Sequence, residues 1–117
     1  QITGLTSGKV IHVPYWHAVA GEPANVNLMY SITSARRGTA QADAFYIRIV
    51  DAAGVIVNQT PTVTAVSGGG AVLRVTDYDL DVPGLYGVSV QMGTLAGTNT
   101  FRVTLGQASL DVQISGT

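Results

Sequence analysis

The stretch DYDLDVPGLYGVSVQM, residues 77–92, decides the fold. From Leu85 on, Tyr86, Val88, Val90 and Met92 alternate with Leu85, Gly87, Ser89 and Gln91. Period-two alternation of this kind predicts a half-buried β-strand. Pro83 and Gly84 stand just before it, and both residue types preset tight turns. Working outward, the same period recurs in both directions. Asn25–Ile32 alternates with Val26, Leu28, Tyr30 and Ile32 directed inward. Ala44–Asp51 does so with Phe45, Ile47 and Ile49, and Thr100–Leu105 with Phe101, Val103 and Leu105. Asp51-Ala-Ala-Gly54 predicts a hairpin turn with positive φ at Gly54, followed by a short returning strand at Val55–Gln59. Thr62–Val66 is β-branched, Ser67–Gly70 is a glycine loop, and Ala71–Thr76 is a further strand. Thr33–Asp43 reads as a polar loop, and Gly93–Asn99 as a loop closing a hairpin. Gly106 reads as a bulge, because alternation resumes out of phase at Leu110, Val112 and Ile114. No segment carries a helical period. The expectation is an all-β antiparallel sandwich of about seven to nine strands.

Asp81, Gly84 and Tyr86 have the spacing D-x-x-G-x-Y, which resembles the tyrosine corner of immunoglobulin-like sandwiches. The resemblance implies that the Tyr86 hydroxyl bonds backbone upstream, near Asp79–Val82. In antibody domains a Cys follows that Tyr by two residues; Val88 stands in its place, so no disulfide is implied. IRIVDAAGVIV followed by DLDVPGLYGVSV is also similar to the immunoglobulin-like modules of phage structural proteins and bacterial surface proteins. That resemblance implies a structural or interaction module.

Composition narrows the partners. The chain has 117 residues, enough for one domain with its own core. Gln1–Gly8 reads as a loose N-terminal arm, and residues 9–117 read as the domain. Charged residues make up only 11% and the net charge is −1, which gives nucleic acid or an anionic membrane no electrostatic hold. No apolar run approaches the roughly 20 residues a membrane helix needs. Cysteine is absent, which excludes disulfides and thiolate chemistry.

Candidate sites are few. Tyr15-Trp16-His17 sits on a predicted first strand, Lys9–Ala20, which Pro14 marks as an edge or a crossing between sheets. The aromatic pair suits an interface anchor or a sugar platform. Otherwise it simply places one ring inside and one at a sheet margin. His12 and His17 fall on opposite faces, so they do not share a metal. Arg36-Arg37 would meet a carboxylate or phosphate on a partner, or else forms part of a solvated loop. Asp77, Asp79 and Asp81 open like a calcium loop. Val82 and Val88 occupy the sixth and twelfth positions, where such a loop needs Gly and Glu, so acids leading into a corner are the expected reading.

No nucleophile elbow, phosphate loop or metalloprotease helix is present, so no catalytic residue, metal or cofactor is expected. The sequence reading is a non-enzymatic module of a virus particle, such as a phage decoration, tail or fibre protein, located in the virion. It would contact other chains of an assembly, including copies of itself. The alternative is a glycan- or protein-binding module of a bacterial secreted or cell-surface protein.

Overall fold

Alternation becomes sheet in the structure, a computed structural model that describes residues 19–117. Eight strands follow in chain order: β1 (Pro23–Ser31), β2 (Ser34–Ala35), β3 (Ala40–Asp51), β4 (Thr62–Ser67), β5 (Ala71–Asp77), β6 (Leu85–Gln91), β7 (Gly97–Leu105) and β8 (Ala108–Gly116). They make two four-stranded sheets, ordered β1-β3-β6-β5 and β2-β8-β7-β4. All pairings are antiparallel except β2 with β8.

The two sheets meet through one apolar core. Phe45, Ile47 and Ile49 on β3 and Tyr86, Val88 and Val90 on β6 come from the first sheet. Phe101 and Val103 on β7 and Ala108, Val112 and Ile114 on β8 come from the second. Phe45 and Phe101 join the layers, with ring centroids 6.4 Å apart. Apart from Ala108, these are positions where the sequence carries the period-two alternation. β6 lies between β3 and β5, and Gly87 and Ser89 on its other face are buried as well.

Several expectations need correction. Leu28 and Tyr30 are not core residues; they are 46% and 54% exposed. The β1–β3 register breaks between Leu28 and Tyr30, so the strand changes phase there, and β1 lies at the sheet edge. The predicted loop Thr33–Asp43 contains β2 and the start of β3. Val55–Gln59 is not a strand, since only the single bridge Val50↔Ile56 forms. Gly93–Asn99 does not close a hairpin, because β6 and β7 belong to different sheets. Gly106 is not a bulge. It has φ 56° in the two-residue turn of the β7–β8 hairpin, and the phase changes because the chain reverses. The hairpin turn at Asp51–Gly54 forms as expected, with φ 85° at Gly54. The predicted arm Gln1–Gly8 and the first strand up to residue 18 lie outside the described residues, with Tyr15, Trp16 and His17 among them.

Candidate interaction surfaces

Three tyrosines line the outer face of the first sheet. Tyr46 follows the buried Phe45 and precedes the buried Ile47, so alternation turns it outward. Tyr30 is its direct cross-strand partner on β1, and the ring centroids are 6.1 Å apart. Tyr78, just past β5, lies 6.0 Å from Tyr46 on the other side. Gly87 on β6 pairs with Tyr46 and lies beneath these rings. A Cβ there would come 2.7 Å from Tyr78 and 3.1 Å from Tyr46, so the missing side chain lets the rings settle. Tyr30 leaves about half its surface open, and the other two are half-buried.

Asp43 anchors this row. The β3–β6 register breaks between Gln41 and Phe45, and Asp43 adopts φ 48° within the break. Left-handed backbone is tolerated by Asp better than by most residues. Its Oδ2 accepts a 2.6 Å bond from the Tyr78 hydroxyl, and its amide donates to Ser89 Oγ at 3.0 Å. The bond to Asp43 raises the Tyr78 pKa, with burial adding to it. Burial, then the Asp43 charge, raises that of Tyr46. Both phenols therefore stay neutral and serve as stacking faces and hydrogen-bonding groups. Neither is an ionised nucleophile.

The corner before β6 is tied internally. Asp77 Oδ1 accepts from the Asp79 amide at 2.8 Å. Asp79 Oδ1 accepts from the Gly84 amide, and its Oδ2 accepts from Asn58 Nδ2 at 2.9 Å. Asp81 is exposed, and its amide donates to Tyr78 O. Two of the three carboxylates thus serve the corner itself. Among the described residues no three His, Asp or Glu side chains gather as a ligand set. Gly84 takes φ 71°, and a Cβ there would collide with Ile56. Tyr86 is buried as expected, and burial pushes its phenol pKa up. Its hydroxyl does not reach upstream backbone, however. It donates to Asn58 Oδ1 at 3.0 Å, a side chain from the β3–β4 connection. The corner is held by Asp79 and Asn58, so the tyrosine-corner bonding does not apply.

Arg36 and Arg37 are exposed in the β2–β3 turn, at the end of the sandwich where β8 finishes. The Arg37 amide donates to Thr117 O at 3.1 Å, and the Gly38 amide to Gly93 O at 2.8 Å. Among the described residues neither guanidinium has an ion-pair partner, and the ion pair present is Arg102–Asp111, on the outer face of the second sheet. At the opposite end, Asp51 fixes the segment before β1 by accepting from the Gly21 amide at 2.8 Å. The described residues therefore begin at one end of the sandwich and finish at the other. Sequence reasoning missed Asp51 as an anchor, Asn99 as a buried amide and the tyrosine row. The Asp51-x-x-Gly54 turn was the one local signal for any of them.

No family model matches the chain, and no curated protein does. Among solved structures it is similar to domains 4 and 5 of the S-layer protein SbsC. The TM-score is 0.60 at 17% identity, over 81% of this chain and 52% of that one. The chain thus spans about half the length of the structure it matches, and the likeness is one of fold.

Proposed function

We propose that the chain is a non-enzymatic structural module of a bacterial cell-surface protein, acting through contacts with other protein chains. The observation that carries this reading is the likeness to two domains of a surface-layer protein, of which this chain covers one half. Chain direction supports it. Residues 19–23 and 115–117 lie at opposite ends of the sandwich, the arrangement that beads joined end to end require. The virus-particle setting expected from the sequence has no counterpart in that neighbour, and the surface setting takes its place.

Strand order supports an immunoglobulin-like reading of the fold. Constant-type immunoglobulin sandwiches pair their lettered strands A-B-E-D and C-F-G. With β1 as A and β3 to β8 as B to G, both orders are reproduced, and β2 is an addition beside G. In that scheme Tyr86 sits on E, whereas a tyrosine corner belongs to F. This accounts for the different partner of its hydroxyl.

The test is location. An antibody against residues 19–117 should label intact cells of the source bacterium before permeabilisation. Labelling that requires lysis overturns the surface reading.

The tyrosine row favours a second reading, a glycan-binding surface module. Partly exposed rings at about 6 Å spacing beside a carboxylate can stack on sugar faces and accept hydrogen bonds from their hydroxyls. Cell-wall polysaccharide fragments should then shift Tyr30, Tyr46 and Tyr78 resonances, and Tyr30→Ala should abolish the shift. No shift at millimolar fragment removes this reading.

A further inference from the structure

The charges of the described residues are divided along the length of the sandwich. β1 starts at Pro23, opposite Asp51, the last residue of β3. β5 finishes at Asp77, opposite Tyr86 near the start of β6. Glu22, Asp51, Asp77, Asp79 and Asp81 therefore gather at the end where Gly21 lies. At the other end the β2–β3 turn carries Arg36 and Arg37, and no carboxylate side chain of the described residues stands with them. Asp43, Arg48, Arg74, Arg102 and Asp111 lie within the strands between. Asp51 is buried, whereas Glu22, Asp77, Asp81, Arg36 and Arg37 are exposed.

The two ends also differ in shape. Leu80 stands in the corner between β5 and β6, and its side chain is fully exposed. The turn that carries it is held in place. The Asp81 and Val82 amides donate to Tyr78 O at 3.0 and 2.9 Å, and Asp79 accepts from the Gly84 amide. An apolar side chain on a fixed turn is a preorganised knob. The opposite end holds a recess of about 350 Å³, lined by Gly68, Gly69 and residues 94–98. Gly68 and Gly69 give it backbone walls, no charged side chain lines it, and Leu95 within the lining is 78% exposed. Arg36 and Arg37 stand beside this recess. The Arg37 amide donates to Thr117 O and the Gly38 amide to Gly93 O, and a Cβ on Gly116 would lie 3.5 Å from Leu95 O.

We propose that the acidic end of one copy docks on the basic end of a second copy, with Leu80 seated in the recess and Asp81 facing Arg36 and Arg37. The charges steer the two ends together and set their polarity. The leucine, once covered, anchors the contact by leaving water. Asp77 and Asp79 hold amides of the corner itself, so Asp81 is the acid left to face a partner.

Like ends repel. Two corners would bring acids against acids, and two recesses would bring four guanidiniums together. The contact is therefore between unlike surfaces, and it repeats from copy to copy into an open row. Chain direction is kept along that row, because residues 19–23 and 115–117 lie at the two contacting ends. A contact made by a few loops is weak by itself, and a row gains occupancy from many of them. This rests on reading the domain as an assembling module, and it names the partner as a copy of the chain.

The absence of cysteine makes cross-linking a clean test. Full-length Leu80→Cys and Ala96→Cys chains are mixed in equal amounts and oxidised. Cys is itself a small apolar side chain, so the knob keeps its character. The mixed dimer should exceed its statistical share over the two like-with-like dimers. The excess should shrink as salt rises, because the attracting charges are exposed. Arg36→Glu with Arg37→Glu in the Ala96→Cys chain should return the products to the statistical share at an unchanged melting temperature. Arg36→Lys with Arg37→Lys should keep the excess. Statistical products from the first pair, or an excess that survives charge reversal, overturn the proposal. Labelled intact cells with statistical products would remove this contact and leave the surface-module reading standing. Unlabelled intact cells with an excess of mixed dimer would remove the surface setting and keep the contact.

Discussion

Each end of the sandwich is pinned by one buried polar side chain, and the two pins differ in kind. At the end where Gly21 lies, Asp51 accepts from three amides: Gly21 on Oδ2, and Ala53 and Val55 on Oδ1. At the other end, Asn99 is fully buried. It accepts from the Gly93 amide at 3.1 Å and donates to Gly97 O at 3.4 Å. Around Asn99 the backbone closes in. A Cβ on Gly68 or Gly70 would come 2.5 Å from a backbone carbonyl oxygen, and one on Gly93 would collide with Gly68 O. The carboxylate gathers donors by charge and tolerates a loose surround. The amide uses both its polar atoms and works by fit. One end should therefore respond to pH and the other only to shape.

The largest effect should come from a change that favours neither end. Ile47 is fully buried between the sheets, and Ile47→Ala should cost about 2–5 kcal/mol through lost transfer energy plus the cavity left behind. Amide exchange at Gly21 and Gly93 should accelerate together. If one end alone loses protection, the two ends are not parts of one cooperative unit. Next is Asn99→Ala, which strands the buried Gly93 N–H, at a cost of about 1–3 kcal/mol. Denaturant melts should show the same loss at pH 4 and pH 7. A loss that varies with pH would mean that Asn99 is coupled to a titrating group and that the contrast between the ends is wrong.

Core residues were legible because period two is a local property. Phe45-Ile47-Ile49, Tyr86-Val88-Val90 and Phe101-Val103 each carry their own evidence within a few residues. Sheet membership does not. Gly93–Asn99 has the composition of a hairpin loop, and only the distant partners of β6 and β7 show that it crosses between layers. The bulge at Leu28 and Tyr30 leaves no mark in composition, so the phase error there could not be seen in advance. Tyr30, Tyr46 and Tyr78 lie far apart in the chain, and strand register alone brings them together. The Asp51 turn was visible as an Asp-x-x-Gly signal, but its bond to Gly21, 30 residues away, was not.

Tyr86→Phe sharpens the picture of the Asp51 end. It removes the hydroxyl bond to Asn58, which ties the corner before β6 to the β3–β4 connection. The expected loss is about 1 kcal/mol, with the ring still buried. An unchanged melting temperature would assign the hold on that connection to the Asn58–Asp79 bond alone.

The last effect, a change in pH dependence, is small in size and the most diagnostic, and it belongs to Asp51→Asn. The Gly21 bond first, then the Val55 bond, lower the carboxyl pKa of Asp51 below the ordinary carboxylate value. A group whose folded pKa is depressed adds stability above its unfolded pKa, about 3.9 for Asp. That contribution disappears as pH falls through the lower folded value. The native chain should therefore lose stability on acidification below about pH 4. Asp51→Asn keeps one oxygen to accept from the turn and gives up the charge, so its melting temperature should vary less with pH over that range. Protection of the Gly21 amide, taken against its intrinsic exchange rate, should fall in acid in the native chain, while that of Gly93 keeps pace with the global melt. If Asp51→Asn retains the full acid sensitivity, the charge at the Gly21 end is not what titrates, and the two ends are pinned alike.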